Sequence, residues 1–312
     1  MRLARLVALL TSIVFLVSAA PVGAQREQVI RIGTTAGDAY AEAYYAQELG
    51  LFRQAGLRVE LRMFSSGVAI ATGVASGTID LGIANVIYLA KTISGGTPLV
   101  FLAGGGLYSS KTPIIALVTK RNSPLHGPRD LEGKTVAIAG RSDQSLVAID
   151  AWMDRGGADF TKVHFIYIPL GEMQFALRNG LADAAMITEP WLSAAVKSEN
   201  LQVVAKPHDA LGSQLVIGVW FSTAQWYATN KELAKKFITI IYEAGSWANA
   251  HHYQSAQLLA KFSKIDIQTI GSMVRAPFPT MLDPSIIQGQ LNLAYRYHIL
   301  DRPMSAVDLL AK

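Results

Sequence analysis

Polar side chains that could bind a small ligand follow several of the predicted strands. They fall into an early and a late group: Thr34, Thr35, Tyr40, Ser65, Ser66, Gly67, Asn85 and Tyr108, then Arg141, Ser142, Asp143, Thr188 and Glu189. Hydroxyl and amide groups beside the free backbone N–H groups of helix starts favour binding of an anion or a polar molecule. Hydroxyl, amide and carboxylate side chains are also the usual caps of helices, so such a residue has an alternative structural role.

Arg141 and Glu189 predict opposite ligands. An arginine beside a helix start can pair with a sulfonate or a carboxylate, whereas a glutamate accepts from an amine or a heteroaromatic N–H. Each residue has an alternative, Arg141 as a solvated loop residue and Glu189 as a contact between two halves of the molecule. Because several predicted helix starts converge on the ligand, the balance favours a small organic anion.

Tyrosines and aspartates give weaker signals. Tyr40, Tyr44 and Tyr108 could stack on a planar ligand, but tyrosines at helical spacing more often belong to the core. We assign Asp80 and Asp183 to capping of backbone N–H groups rather than to ligand binding.

The sequence contains no recognisable catalytic or metal-binding motif. No two of the six histidines have the His-x-x-x-His spacing, and no nucleophile elbow or dinucleotide fingerprint occurs. Gly104–Gly106 lacks the Lys and the Ser or Thr of a phosphate loop. The absence of cysteine excludes disulfides, thiolate catalysis and Cys-based metal sites. We therefore predict a protein that is not an enzyme and that uses no metal or cofactor.

The first 24 residues have the order of a secretory signal peptide. Arg2 and Arg5 precede an apolar run from Leu6 to Val17, and small residues up to Ala24 form a cleavage site. The alternative is a retained anchor, but the run is shorter than the roughly 20 residues that span a bilayer. Without an Arg-Arg pair, the general secretion route is favoured. We predict a periplasmic protein that is soluble after cleavage near Ala24.

The mature chain is large enough for two lobes. Removal of 24 of the 312 residues leaves 288, and loss of two arginines lowers the formal charge from +5 to +3. Basic residues are scattered, which argues against a nucleic-acid partner.

One strand–helix unit appears twice in the sequence. Gly77-x-x-Asp80 and Gly180-x-x-Asp183 each end a predicted helix and start a predicted strand, which leads to Asn85 and to Thr188. Alternating strands and helices predict an α/β protein with mostly parallel sheets, whose ligands bind beyond the carboxyl ends of the strands. The alternative is that these glycines and aspartates simply end helices and start strands, as in any α/β protein, without a duplication.

The remainder of the chain is predicted to be largely helical. Thr229-x-x-Glu232 has the pattern of a capping box before a helix with Phe237 and Ile241 on one face. Leu215–Phe221 is strand-like and could return the chain to the first lobe, on which we expect the helices to pack.

These residues together resemble the nitrate, sulfonate and taurine class of periplasmic binding proteins, which includes thiamin pyrimidine-precursor binders (SsuA/THI5-like). The resemblance is carried by motifs in family order: Ala46-x-x-Leu49-Gly50-Leu51-Phe52-x-x-Ala55-Gly56-Leu57-x-Val59, Gly77-x-x-Asp80, Asp130-Leu-Glu-Gly133-Lys134-Thr-Val136-Ala, Gly180-x-x-Asp183-Ala184 and Glu189-Pro190-Trp191. It covers essentially the whole mature chain.

The resemblance implies a two-lobed type II fold that closes on its ligand like a flytrap. Lobe one would comprise residues 26–117 and 215–312, and lobe two residues 118–214. It also implies delivery of a small molecule to an ABC permease and ATPase, and we expect the protein to be a monomer. The alternative function is a periplasmic sensing module that reports the ligand to a signalling receptor.

Overall fold

The computed structural model describes residues 29–198 and 200–312. The predicted signal peptide lies outside these residues. Within them, no helix combines the length and the apolar composition that crossing a bilayer requires.

The described residues form twelve strands and thirteen α-helices, with short 3-10 turns between some of them. The strands are β1 (Val29–Thr34), β2 (Arg58–Met63), β3 (Leu81–Asn85), β4 (Leu99–Gly104), β5 (Leu107–Ser109), β6 (Ile115–Lys120), β7 (Thr135–Ile138), β8 (His164–Tyr167), β9 (Ala184–Thr188), β10 (Leu201–Ala205), β11 (Gln214–Val216) and β12 (Gly218–Thr223). The helices are α1 (Glu42–Glu48), α2 (Leu51–Gln54), α3 (Gly67–Ala75), α4 (Val86–Ser94), α5 (Gln144–Arg155), α6 (Met173–Arg178), α7 (Trp191–Ser198), α8 (Ala224–Thr229), α9 (Lys231–Ala250), α10 (His252–Ser263), α11 (Ile267–Ser272), α12 (Ser285–Arg296) and α13 (Ala306–Leu309).

Ten of these strands form two five-stranded sheets with the same pattern of pairing. The first sheet has the order β2-β1-β3-β12-β4, and the second has the order β8-β7-β9-β6-β10. In each order the first two pairings are parallel and the last two are antiparallel. In each sheet four strands run in one direction and one strand, β12 or β6, runs in the opposite direction. Each sheet is therefore mixed and mostly parallel, as the sequence predicts, and the shared pattern confirms the duplicated unit.

The two Gly-x-x-Asp units occupy equivalent positions in the two sheets. Gly77 and Gly180 adopt left-handed backbone angles, with φ of 73° and 70°. Asp80 Oδ2 accepts from the backbone N of Arg31 in β1 at 2.8 Å, and Asp183 Oδ2 accepts from the backbone N of Thr135 in β7 at 2.9 Å. The two carboxylates thus cap the backbone of β1 and β7, the second strand in each of the two orders, as the sequence predicts.

Side-chain caps fix the starts of two helices that the sequence locates. Ser66 Oγ accepts from the backbone N of Ala69 at 3.2 Å, and Asp143 Oδ1 accepts from the backbone N of Ser145 at 2.7 Å. Each bond satisfies a backbone donor that has no partner within its own helix. Ser66 and Asp143 therefore set the starts of α3 and α5.

The predicted capping box at Thr229 is wrong. Thr229 is the last residue of α8, and its hydroxyl donates to the backbone O of Gln225 at 2.7 Å. Asn230 is the residue before α9, and its side chain makes no cap. Because the chain is already helical before Thr229, the hydroxyl bonds back to the preceding turn instead of starting a new helix.

A short antiparallel pair, β5 with β11, connects the two sheets. All pairings of β6 lie in the second sheet, so the predicted boundary after residue 117 falls inside that strand. The return boundary, between residues 214 and 215, falls inside β11. The division into lobes at these residues stays a prediction.

The C-terminal helices pack back onto the first sheet and across to the second half. Helix α9 contacts α1, α2 and β4, and α12 contacts α4, α5 and β11. The core beneath the first sheet includes Ile32, Trp220 and Phe237, each fully buried. Helix α12 therefore contacts elements of both halves.

Candidate functional site

A cleft of about 920 Å³, partly open to solvent, lies between the two sheets. Its lining comes mainly from segments that follow β1, β2, β3, β7, β8 and β9: Thr35, Gly37, Ala39, Tyr40, Ser65, Ser66, Gly67, Val68, Asn85, Tyr88, Ile115, Ala139, Gly140, Asp143, Gln144, Ser145, Pro169, Leu170, Met186, Thr188, His208 and Ile217. The carboxyl ends of parallel strands therefore deliver polar groups from both sheets to one space.

Most of the predicted ligand-binding residues line this cleft. They are Thr35, Tyr40, Ser65, Ser66, Gly67, Asn85, Asp143 and Thr188. These residues come from both sheets, so strand-end positions far apart in the sequence face a common space.

Two predicted residues, Thr34 and Tyr108, are buried beside the cleft without lining it. The Thr34 hydroxyl donates to the backbone O of Tyr40 at 2.6 Å. The Tyr108 hydroxyl donates to Asp209 Oδ1 at 2.8 Å. Tyr44 also lies away from the cleft lining, where its ring stacks on Phe262 with centroids 3.9 Å apart. The hydroxyls of Thr34 and Tyr108 thus hold neighbouring segments in place.

Arg141, Ser142 and Glu189 also lie outside the cleft lining. The exposed Arg141 guanidinium lies over the Tyr167 ring, 4.7 Å from its centroid. The Glu189 carboxylate accepts from the backbone N and the hydroxyl of Ser193 at 3.0 and 2.8 Å, and burial raises the pKa of Glu189 to about 7. The backbone O of Glu189 accepts from the N–H of Asp38 at 3.5 Å, a contact between the two halves.

Helices α3, α4 and α5 all begin at the cleft, and each start is capped by a side-chain oxygen. Besides Ser66 and Asp143, Asn85 Oδ1 accepts from the backbone N of Ile87 and Tyr88 at 2.9 and 3.3 Å. The caps use part of the donor capacity that would otherwise attract an anion. The Asn85 amide nitrogen remains a donor.

Three buried residues of the cleft carry polar atoms without a hydrogen-bond partner among the described residues. These atoms are Thr35 Oγ1, Gln144 Oε1, and both ring nitrogens of His208. Buried polar groups are rarely left unpaired, because their desolvation costs free energy. Polar atoms of this kind are suited to a bound partner.

His208 is a neutral residue fixed in position by its neighbours. It lies in a short 3-10 turn, Pro207–Ala210, that packs against α5. Its ring centroid is 5.3 Å from that of Tyr108. Burial lowers the pKa of His208 to about 3, so the imidazole is uncharged at neutral pH with one donor and one acceptor nitrogen.

The rest of the lining is largely apolar and carries little charge. Ile115, Met186 and Ile217 contribute aliphatic surface, and Tyr40 and Tyr88 contribute aromatic rings. In the described part of the chain no Lys or Arg lines the cleft, and Asp143 is its one carboxyl group. Burial raises the pKa of Asp143.

Gln144 and His208 line the cleft but were not among the residues predicted from the sequence. Gln144 follows the predicted cap Asp143, so its place at a helix start was a usable signal. The sequence carries no comparable signal for His208, because a 3-10 turn between β10 and β11 brings this residue to the cleft only through packing on α5.

Comparisons with known proteins identify similar chains. The aliphatic sulfonates-binding protein of Escherichia coli is 25% identical over 71% of this chain and 67% of its own length. The taurine-binding periplasmic protein of Escherichia coli is 26% identical over 59% of this chain and 56% of its own length.

A solved structure is similar in fold. The ligand-binding component of an ABC-type import system from Staphylococcus aureus, solved with zinc bound, superposes with a TM-score of 0.81 at 16% identity. The match covers 91% of this chain and 96% of the other. At this identity the likeness shows the fold, which is that of periplasmic binding proteins. The family model described as NMT1/THI5 like matches residues 39–278, most of the chain, and the chain therefore belongs to the NMT1/THI5-like family.

Proposed function

We propose that this chain is the solute-binding component of an ABC importer. It captures a small ligand in the cleft and delivers it to a permease with its ATPase. It acts in the periplasm as a monomer, after residues 1–24 have been removed. The observation that carries the proposal is the cleft itself, which is lined from both sheets by polar groups at strand ends.

The relatives support this function. One is named for aliphatic sulfonates and one for taurine in the periplasm, and a structural neighbour belongs to an ABC-type import system. These names point to import rather than to a sensing module, so transport is the function we propose.

The ligand is held by residues of both halves. Ser65, Ser66, Gly67 and Asn85 contact it from the first side, while Asp143 and Thr188 contact it from the second. Contacts on both sides favour the closed arrangement over an open one. The short β5–β11 pair is the hinge about which the halves move.

Binding takes place without turnover. His208 is the one imidazole that lines the cleft in the described residues, and no hydroxyl or carboxylate hydrogen-bonds to it. It therefore activates no nucleophile. Purified protein should retain its ligand unchanged, and catalytic consumption of a bound compound would contradict the proposal.

A pair of serine variants tests the cleft. Ser65 is exposed and lines the cleft, so Ser65→Trp fills the space without changing the core. Ser76→Trp is the matched control, because Ser76 is exposed at the opposite end of α3. Calorimetric titration with taurine, ethanesulfonate, nitrate, benzoate and benzamide measures binding.

We expect at least one probe to bind the wild type and the Ser76→Trp variant with one-to-one stoichiometry, and Ser65→Trp to lose this binding. Small-angle scattering should show that the bound protein is more compact. Equal binding by both variants, or binding without compaction, would place the ligand elsewhere and refute the proposal.

A further inference from the structure

Buried polar atoms without a protein partner are concentrated in the cleft. Of the eight such side-chain atoms among the described residues, four belong to Thr35, Gln144 and His208, which line it. The exposed fraction is 5% for Thr35, 1% for Gln144 and 0% for His208. These atoms determine which hydrogen-bond donors and acceptors a complementary ligand must carry.

The Gln144 side chain has one possible orientation. Its Nε2 donates to the backbone O of Val216 at 3.1 Å and to Gln290 Oε1. Gln290 Nε2 donates to the backbone O of Val216 and of Ile286, at 3.3 and 3.2 Å, so the oxygen of Gln290 must face Gln144. A flipped Gln144 amide would place two oxygens against each other. Gln144 Oε1 therefore remains an acceptor that needs a donor.

His208 places a second hydrogen-bonding requirement on the ligand, and the neutral ring contributes no charge to the cleft. Its neutral ring offers one N–H donor and one acceptor nitrogen. The neighbouring Tyr108 hydroxyl does not bond to it, because that hydroxyl donates to Asp209. A ligand that both donates and accepts hydrogen bonds is thus complementary to Gln144 and His208 together.

The charges of the lining do not favour an anion. No cationic side chain of the described residues lines the cleft, and the Asp143 carboxylate would repel a negative ligand. Ser66, Asn85 and Asp143 already accept from backbone N–H groups at the three helix starts. The organic anion favoured on sequence grounds therefore lacks a cationic partner here.

We propose that the cleft selects an uncharged ligand with a carboxamide or lactam group on an apolar body. The ligand N–H donates to Gln144 Oε1, and its carbonyl accepts from His208. The apolar body packs against Ile115, Met186 and Ile217. This inference rests on the proposed function and narrows its ligand class.

Four probes of similar shape test this selectivity by calorimetry on the mature chain. Benzamide is uncharged and has both a donor and an acceptor. N,N-dimethylbenzamide lacks the donor, while benzoate and benzenesulfonate carry charge and no donor. We expect benzamide to bind at least about tenfold more tightly than each of the others, the scale of one unsatisfied hydrogen bond.

A second measurement uses His208→Phe, which keeps an aromatic ring and removes both nitrogens. We expect benzamide affinity to fall about tenfold, because the ligand carbonyl loses its donor. The melting temperature of the free protein should stay equal or rise, because two unpaired buried polar atoms are removed. His164→Phe is the control, since His164 is exposed on β8 and lies outside the cleft lining.

Tighter binding of benzoate or benzenesulfonate than of benzamide, or no binding of benzamide, would overturn the inference. So would unchanged benzamide affinity in His208→Phe. Anion binding that is lost in Ser65→Trp would still support the importer function, so failure of the two proposals can be told apart.

Discussion

Asp38 and Arg275 form a buried ion pair with a distance of 2.9 Å between Oδ1 and Nη2, although 237 residues separate them in sequence. Asp38 is fully buried and follows β1, while Arg275 lies between α11 and α12. Asp38 Oδ2 also accepts from the backbone N of Ala276 at 2.7 Å, and Arg275 donates to the Tyr45 hydroxyl at 2.9 Å. The pair fastens the C-terminal segment to the first sheet beside the cleft.

Arg275→Met should strongly destabilise the protein, because it leaves the Asp38 charge buried without a counter-ion. Loss of one partner of a buried pair costs about 3–5 kcal/mol in free energy of unfolding. Urea denaturation measures this change. Lys235→Met is the control, since the pair of Lys235 with Glu232 lies on the surface and should contribute little. A similar small effect of both substitutions would contradict the structural role of Arg275.

Glu42→Gln should remove much of a pH dependence of stability. Glu42 is 1% exposed, and its burial raises its pKa from 4.5 to about 8. The folded state therefore keeps the proton over a range in which the unfolded state releases it. The contribution of Glu42 to the free energy of unfolding is therefore fully present below about pH 4.5. It is lost as the pH rises through about 8.

Melting temperatures at pH 5, 7 and 9 test this expectation. The wild type should become less stable with rising pH, and Glu42→Gln should reduce the slope. A smaller slope should remain, because burial also raises the pKa of Asp150 and of Glu189 to about 7. His208 partly opposes this slope below about pH 6.5, because burial lowers its pKa to about 3. Glu243→Gln, on the exposed face of α9, is the control. An identical slope in Glu42→Gln would show that this carboxyl is ionised in the folded protein.

Gly106→Ala should destabilise the wall of the cleft. A Cβ at Gly106 would lie 2.5 Å from Ala39 Cα, and the backbone N of Gly106 donates to the O of Ala39 at 2.9 Å. Relief of this overlap requires a backbone shift that costs about 1–3 kcal/mol. Ala39 lines the cleft, so ligand affinity should also fall.

Gly271→Ala is the matched control for this substitution. A Cβ there has no neighbour within 4 Å, and Gly271 lies in α11, where alanine has the higher helix propensity. Its melting temperature should stay equal or rise. If Gly106→Ala behaves in the same way, the close approach of the two backbones is not a constraint.

Asp143→Asn should change ligand preference while it preserves the fold. Asparagine caps a helix as well as aspartate does, so the start of α5 should remain intact and the melting temperature should change little. Removal of the negative charge should raise the affinity for benzenesulfonate by about threefold to tenfold at low ionic strength. Calorimetry checks this, with Asp308→Asn on the exposed side of α13 as the control. Unchanged affinity would mean that Asp143 does not oppose anions.

Much of the architecture could be predicted because short-range rules govern it. The Gly77 and Gly180 turns, the caps at Ser66 and Asp143, and the order of strands and helices all depend on neighbouring residues. The error at Thr229 has the same origin, since the local pattern did not reveal that α8 already covers that residue. Local rules also placed eight of the thirteen predicted residues in the cleft lining, because strand ends follow from strand positions.

The sequence by itself determined that polar strand-end residues from two similar units would face a common space. Only the tertiary structure decided which polar atoms remain unpaired there. The orientation of Gln144 depends on Gln290, which lies 146 residues away, and the neutrality of His208 depends on its complete burial. Hydrogen-bond partners and desolvation are properties of the packed chain, because groups distant in sequence supply or exclude them.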